Sequence, residues 1–146
     1  MLPRRPVSPS SHWRDARMTV RAPLWRAPAV AFGIDVLLVV VFATIGRASH
    51  DEALTVGGVL ATASPFLVGT VIGWLVVRRR RGSWPLEVGP GITVWFSTLL
   101  IGMVLRVVVL GSFAWAFLGV AAAVLAVLVI GWRALASRAG TRRAGR

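Results

Sequence analysis

Two charged residues, Asp35 and Arg106, each interrupt a long apolar stretch of this 146-residue chain. A charged side chain near the centre of a bilayer costs on the order of 2.5–3.5 kcal/mol on insertion scales, so such residues usually serve a purpose. A carboxyl group in apolar surroundings can hold and release a proton, or it can hydrogen-bond to neighbouring helices. Two interpretations of Asp35 therefore stay open: proton or substrate handling, and a structural hydrogen-bonding role.

Counting residues along each stretch gives an approximate depth for these groups. At 1.5 Å per residue, Asp35 lies roughly 10 Å into its stretch and Arg106 roughly 22 Å into its own. This difference argues against a direct ion pair between Asp35 and Arg106. It predicts instead that Asp35 hydrogen-bonds to hydroxyl groups at its own depth, which are those of Thr70 and of Ser97 or Thr98. Arg106 is expected to extend outward and meet Asp51 or Glu52, or to have a functional role of its own.

Two further residues complete the set of candidate functional side chains. Arg47 and His50 lie at the end of the first apolar stretch, close in depth to Arg106. The full candidate set is Asp35, Arg106, Arg47, His50, Thr70 and Ser97.

Several kinds of chemistry are not expected. The chain has no cysteine, which excludes disulfides, thiolate metal sites and cysteine nucleophiles. Ser49, His50 and Asp51 are adjacent in sequence, but adjacency does not build a catalytic triad, and no oxyanion motif accompanies them. We therefore predict a non-enzymatic protein with no cofactor, no metal site and no catalytic residues.

The elements that hold these residues are predicted to be membrane helices. Hydrophobic residues make up 56% of the chain and the mean hydropathy is +0.74, too apolar for a soluble domain of this size. Four stretches of about 20 residues match the thickness of a hydrocarbon core. They are continuously apolar rather than alternating, which favours helices over a β-barrel. The predicted spans are residues 28–46, 55–77, 91–111 and 113–135, in an all-α, antiparallel up-down bundle.

The arginines predict the orientation of this bundle. The chain has 17 arginines and no lysine, and 15 of them precede the first span, separate the second from the third, or lie at the end of the fourth span and beyond it. Such a bias places both termini in the cytoplasm and makes any homo-oligomer parallel. We expect the run Arg78, Arg79, Arg80 and Arg81 to contact lipid head groups. The net charge of +12 then indicates anionic membrane lipids as partners rather than nucleic acid.

The remaining segments and aromatic residues fit the same topology. Residues 1–27 and 136–146 are predicted to be basic cytoplasmic tails, without regular structure in 1–26 and 137–146. The tryptophans are interpreted as an aromatic belt at the two membrane interfaces. Trp25, Trp74 and Trp132 would lie at the inner interface and Trp115 at the outer one.

Small residues at four-residue spacing predict close helix contacts. Gly69 and Gly73 form a GxxxG pattern, and Gly119 and Ala123 repeat the spacing in the fourth span. The pattern does not decide between contacts within the bundle and contacts between protomers. The segment Ile-Gly-Trp occurs at both 72–74 and 130–132, which raises the hypothesis of a duplicated helical hairpin.

Four short motifs occur in a characteristic order along the chain. They are the Asp35 segment leading into Gly-Arg-Ala-Ser-His at 46–50, Ser-Pro-Phe-Leu-Val-Gly at 64–69, Ile-Gly-Met-Val-Leu-Arg at 101–106 and Gly-Trp-Arg at 131–133. Together they resemble domain-of-unknown-function family 3054, a family of small prokaryotic membrane proteins, over roughly residues 31–135. The resemblance implies four membrane helices and a prokaryotic cytoplasmic membrane location. It implies no activity.

Two functions remain for the chain as a whole. The first is a non-enzymatic structural protein or accessory subunit, whose partner is a second copy or another membrane protein. The alternative is a small proton-coupled transporter that uses Asp35. Small multidrug exporters also have four helices with one carboxylate in the first, but their antiparallel dimers require a weak charge bias, unlike the bias found here.

Overall fold

The structure, a computed structural model, describes residues 23–49, 53–111 and 115–144. A short 3₁₀ turn, Leu24–Arg26, leads into helix α1, Pro28–Ala48, which is followed by α2, Val56–Arg81, and α3, Val88–Leu110. Helix α4, Trp115–Leu125, continues through a π-helical turn, Ala126–Ile130, into α5, Gly131–Ala144. No strand occurs in these described ranges.

Four helical segments are long and apolar enough to cross a membrane. They are Pro28–Ala48, Val56–Arg81, Val88–Val109 and Trp115–Gly140. The predictions of an all-α protein and of four potential spans are therefore confirmed. Large apolar side chains remain exposed on the outside of the bundle, including Leu37, Val108, Val109 and Val127. Such a surface is suited to lipid, which is as apolar as these side chains are.

Local sequence signals explain where the helices begin and end. Pro28 is at the start of α1, where its fixed φ suits the first turn and its missing N–H costs nothing. Thr55 caps α2 by accepting a hydrogen bond from the Gly58 amide at 3.1 Å. Gly82 and Gly111 end α2 and α3 with φ of +66° and +68°, a conformation that glycine adopts without strain.

Helices α2 and α3 pack through the glycines of α2. A Cβ atom at Gly69 would lie 2.7 Å from the Ser97 carbonyl oxygen and 2.8 Å from the Thr98 Cα. A Cβ atom at Gly73 would lie 2.9 Å from the Val94 Cα. The two backbones therefore approach more closely than any side chain would allow.

The second predicted pair of small residues has a different environment from the first. Gly119 and Ala123 are exposed on α4, and a Cβ atom at Gly119 would have no neighbour within 4 Å. Among the described residues, the first predicted pair provides a close helix contact, and Gly119 of the second pair does not.

Two buried apolar clusters fill the interior of the bundle. One is built around the edge-to-face pair Phe42 and Phe66, whose ring centroids are 5.2 Å apart. The other surrounds Trp74 and includes Ala31, Val77, Val94 and Val129. This second cluster encloses the buried charges described below.

One predicted absence of regular structure was wrong, and one helix continues beyond its predicted apolar span; both segments are rich in arginine. Residues 137–146 were expected to lack regular structure, whereas α5 continues to Ala144. Similarly, α2 extends past the predicted limit at 77 to include the four arginines that follow. Arginine and alanine are good helix formers, and positive charge near a helix C-terminus interacts favourably with the helix dipole. Residues 1–22 of the predicted N-terminal tail lie outside the described residues.

Candidate functional site

Asp35 forms a buried ion pair with Arg133. Nη1 of Arg133 donates to Oδ1 of Asp35 at 2.8 Å, and Nη2 donates to Oδ2 at 2.6 Å. Both side chains are 0% exposed. A two-pronged contact of this kind uses the planar guanidinium fork, and it is among the strongest hydrogen-bonding geometries that proteins form.

Two tryptophans complete the surroundings of the carboxylate. Trp74 Nε1 donates to Oδ2 of Asp35 at 2.8 Å, and Trp132 Nε1 donates to Oδ1 at 2.9 Å. Each carboxylate oxygen thus accepts two hydrogen bonds, which fills the roughly four acceptor sites of the group. We call Asp35, Trp74, Trp132 and Arg133 the Asp35 cluster.

Two further N–H groups of Arg133 donate to backbone carbonyls. Its Nε donates to the Pro85 carbonyl at 2.9 Å, and its Nη1 also donates to the Val129 carbonyl at 2.7 Å. A Cβ atom at Gly91 would lie 2.6 Å from Arg133 Cδ, so the glycine in α3 provides the space for this side chain. In the described ranges, every buried side-chain nitrogen or oxygen has a hydrogen-bond partner.

The π-helical turn helps to direct Arg133 toward the interior. Buried residues recur every four positions along this segment, at Ala121, Leu125, Val129 and Arg133. In an ideal α-helix, four residues rotate about 40° further than one full turn. Residues spaced by four therefore move gradually around the helix axis. The wider turn at 126–130 counteracts that drift. Single π-helical turns are frequent at functional positions.

The Asp35 cluster joins elements that are distant in sequence. Asp35 is on α1, Trp74 on α2, and Trp132 and Arg133 on α5, while Pro85 lies in the α2–α3 connection. One carboxylate and one guanidinium therefore link α1, α2, α5 and the α2–α3 connection.

The prediction that Asp35 hydrogen-bonds to hydroxyl groups was wrong. The Thr70 and Thr98 hydroxyl oxygens are 3.0 Å from each other, and each is within hydrogen-bond distance of the carbonyl four residues earlier in its own helix. Ser97, the other candidate, presents its carbonyl to Gly69. Trp74, one turn beyond Thr70, reaches the carboxylate instead.

The aromatic-belt interpretation was wrong for one tryptophan. Trp74 is 4% exposed and belongs to the buried cluster around Asp35. Trp132 is half-buried and also contacts Asp35, whereas Trp115 is exposed. The indole N–H explains the difference, because an acceptor inside the bundle can satisfy it as well as interfacial water can.

Arg47 and Arg106 lie together in a different part of the bundle. Arg47 donates through Nε and Nη2 to the Ala53 carbonyl, at 3.2 and 2.7 Å, and through Nη1 to the Thr62 hydroxyl at 3.3 Å. The Arg106 guanidinium carbon lies 4.3 Å from the centroid of the Phe117 ring. His50, Asp51 and Glu52 lie outside the described residues, so the predicted contacts of Arg106 with the two acids do too.

The arginine run at the end of α2 is exposed. Arg78, Arg79, Arg80 and Arg81 all present their side chains to the outside of the chain. Arg78 also stacks on the Trp84 ring at 5.0 Å and donates to the Gly82 carbonyl. Contact of these four arginines with lipid head groups stays a prediction.

Sequence reasoning missed three members of the Asp35 cluster: Trp74, Trp132 and Arg133. Two signals could have found them. The repeated Ile-Gly-Trp segment places a tryptophan at the same position in each hairpin, and both tryptophans donate to the same carboxylate. The four-residue line of buried positions in the fourth span also predicts that Arg133 faces inward.

Comparison with known proteins identifies a family for this chain but indicates no activity. Residues 32–136 match the family described as "Protein of unknown function (DUF3054)". Neither a curated protein nor a solved structure matches the chain. Because the match covers most of the chain, including all members of the Asp35 cluster, the protein belongs to the DUF3054 family.

Proposed function

We propose that this protein is a multi-pass component of a prokaryotic cytoplasmic membrane, with antiparallel helices and both termini in the cytoplasm. Four helices of suitable length and hydropathy support this location. The distribution of 15 arginines in three alternate segments supports the orientation. Arg133, one of these 15, is buried in its ion pair with Asp35. The exposed run at 78–81 still maintains the excess of arginine on the proposed cytoplasmic side.

Cysteine labelling tests this orientation, and the absence of native cysteine makes the background clean. Single cysteines at Ser49 or Ser112 should react with an impermeant reagent added outside intact cells. Cysteines at Ser10 or Ser83 should react only after the membrane is permeabilised. External reaction at position 83 would contradict the proposed topology, because that residue directly follows the arginine run.

Within the membrane, we propose a non-enzymatic structural role, as a scaffold or accessory subunit that binds anionic lipids and a second membrane protein or a parallel copy of itself. The observation that supports it best is the saturated Asp35 carboxylate, which accepts four hydrogen bonds. A proton-carrying carboxylate must exchange partners during its cycle. Here Asp35 is on α1 and its partners are on α2 and α5, so exchange would require rearrangement among three helices.

Proton flux into liposomes distinguishes this role from that of a proton-coupled transporter. The wild type should not conduct protons above the level of empty liposomes under an imposed pH gradient. The double variant Asp35→Asn, Arg133→Gln serves as the matched control. It removes both charges together and therefore leaves neither one unpaired. Flux in the wild type that disappears in the double variant would contradict the structural role and support the transporter.

Purification in native lipid tests the accessory role. Mass spectrometry of the intact complex should show bound anionic lipid together with a second protein subunit or a second copy of this chain. Recovery of a monomer with neither would contradict the proposal.

A further inference from the structure

A small cavity lies between Arg47 and Arg106, away from the Asp35 cluster. Its volume is about 30 Å³, and its walls include Thr62, Phe117 and the buried side chain of Phe42. Two guanidinium groups and one hydroxyl group, all hydrogen-bond donors, therefore line one cavity in an otherwise apolar part of the bundle. We call this the Arg47–Arg106 cavity.

The two arginines are held in different ways. Arg47 is fixed by the Ala53 carbonyl and the Thr62 hydroxyl. Arg106 is held by the face of the Phe117 ring, a cation–π contact that uses none of its N–H groups. The Arg106 fork therefore keeps its hydrogen-bonding capacity for an acceptor at the cavity.

The carboxylates within the described ranges do not supply that acceptor. Asp35 is enclosed by its own four donors. Glu87 is exposed and directly precedes α3, 19 residues before Arg106, which corresponds to about 28 Å along the helix. The positive charge of Arg106 is thus balanced by neither of them.

We propose that the Arg47–Arg106 cavity binds the phosphate group of an anionic ligand. The Arg106 fork matches phosphate oxygens in both charge and geometry, while Arg47 adds a second positive charge and the Thr62 hydroxyl a further polar group. A cavity of this volume admits roughly one oxygen-sized atom, so the phosphate would lie at its mouth with one oxygen inside. Arg106 is five residues before Gly111, which corresponds to about 7 Å from the end of α3. From this depth an arginine side chain can reach the head-group region.

Ligand-induced stabilisation in detergent tests the site without depending on membrane orientation. The probes are short-chain phosphatidylglycerol, short-chain phosphatidylcholine and inorganic phosphate. The wild type should show a saturable rise in Tm with phosphatidylglycerol. In Arg106→Gln, half-saturation should require roughly tenfold more lipid, because a charge-assisted contact is lost. Arg106→Lys should be intermediate, since it keeps the charge and loses the fork.

Arg138→Gln is the matched control, because it removes one positive charge from an exposed position on α5. It should respond to phosphatidylglycerol as the wild type does. A response to inorganic phosphate that also depends on Arg106 would support the site and identify free phosphate as a ligand. A response limited to phosphatidylglycerol would support the site and identify a lipid head group. Equal responses in the wild type and Arg106→Gln, equal responses to both lipids, or no response at all would overturn the proposal.

Discussion

Replacing Arg133 with glutamine should lower the free energy of unfolding by about 3–5 kcal/mol. The substitution leaves the Asp35 carboxylate buried with two indole N–H donors and no compensating positive charge. It also leaves the Pro85 carbonyl without its Nε–H donor. Equilibrium unfolding in mixed micelles, followed by far-ultraviolet circular dichroism, measures the loss.

Arg138→Gln controls for the removal of one arginine from the same helix. Because Arg138 is exposed, solvent screens the interactions of its side chain, and this variant should stay within about 0.5 kcal/mol of the wild type. If Arg133→Gln were as mild as this control, the buried ion pair would not be a stabilising contact between the helices.

A methyl group at Gly69 should destabilise the protein by about 1–3 kcal/mol. The new Cβ atom would lie 2.7 Å from the Ser97 carbonyl oxygen and 2.8 Å from the Thr98 Cα, both of which are backbone atoms. Helices α2 and α3 would have to move apart, since neither atom can rotate away. The same unfolding experiment measures the effect of Gly69→Ala.

Gly33→Ala provides the matched control for this substitution. Gly33 is exposed in α1, and a Cβ atom there would have no neighbour within 4 Å. Because alanine favours helix over glycine, this variant should be neutral or more stable by up to about 1 kcal/mol. Equal destabilisation of Gly69→Ala and Gly33→Ala would contradict close packing of α2 against α3.

The sequence predicted the helices well because length and hydropathy alone determine them. Each apolar stretch must satisfy its backbone hydrogen bonds internally, so a helix follows directly from composition. The close approach of α2 to another helix was also visible, because Gly69 and Gly73 recur on one helical face. The extension of α2 and α5 through arginines was missed because apolar composition marks where lipid contact ends, and a helix can continue beyond it.

The partners of Asp35 could not be read in the same way. Counting residues gives the depth of a Cα atom, but long side chains reach across about a turn of depth. Trp74 and Arg133 therefore meet Asp35 from positions nearer the ends of the predicted apolar spans. Arg133 was also counted as a topology signal because it lies at the end of the apolar stretch. Arg133 points inward because of how the fourth helical segment is rotated about its own axis. The π-helical turn partly sets this rotation.

A double-mutant cycle at Asp35 and Arg133 tests the structural role of the ion pair most directly. Asp35→Asn and Arg133→Gln each leave one charge buried and unpaired, whereas the double variant leaves none. We expect the double variant to be more stable than either single variant, so the coupling energy in mixed-micelle unfolding should exceed the loss of about 3–5 kcal/mol in Arg133→Gln alone. Additive losses, with a double variant less stable than both single variants, would contradict the claim that this pair joins the helices.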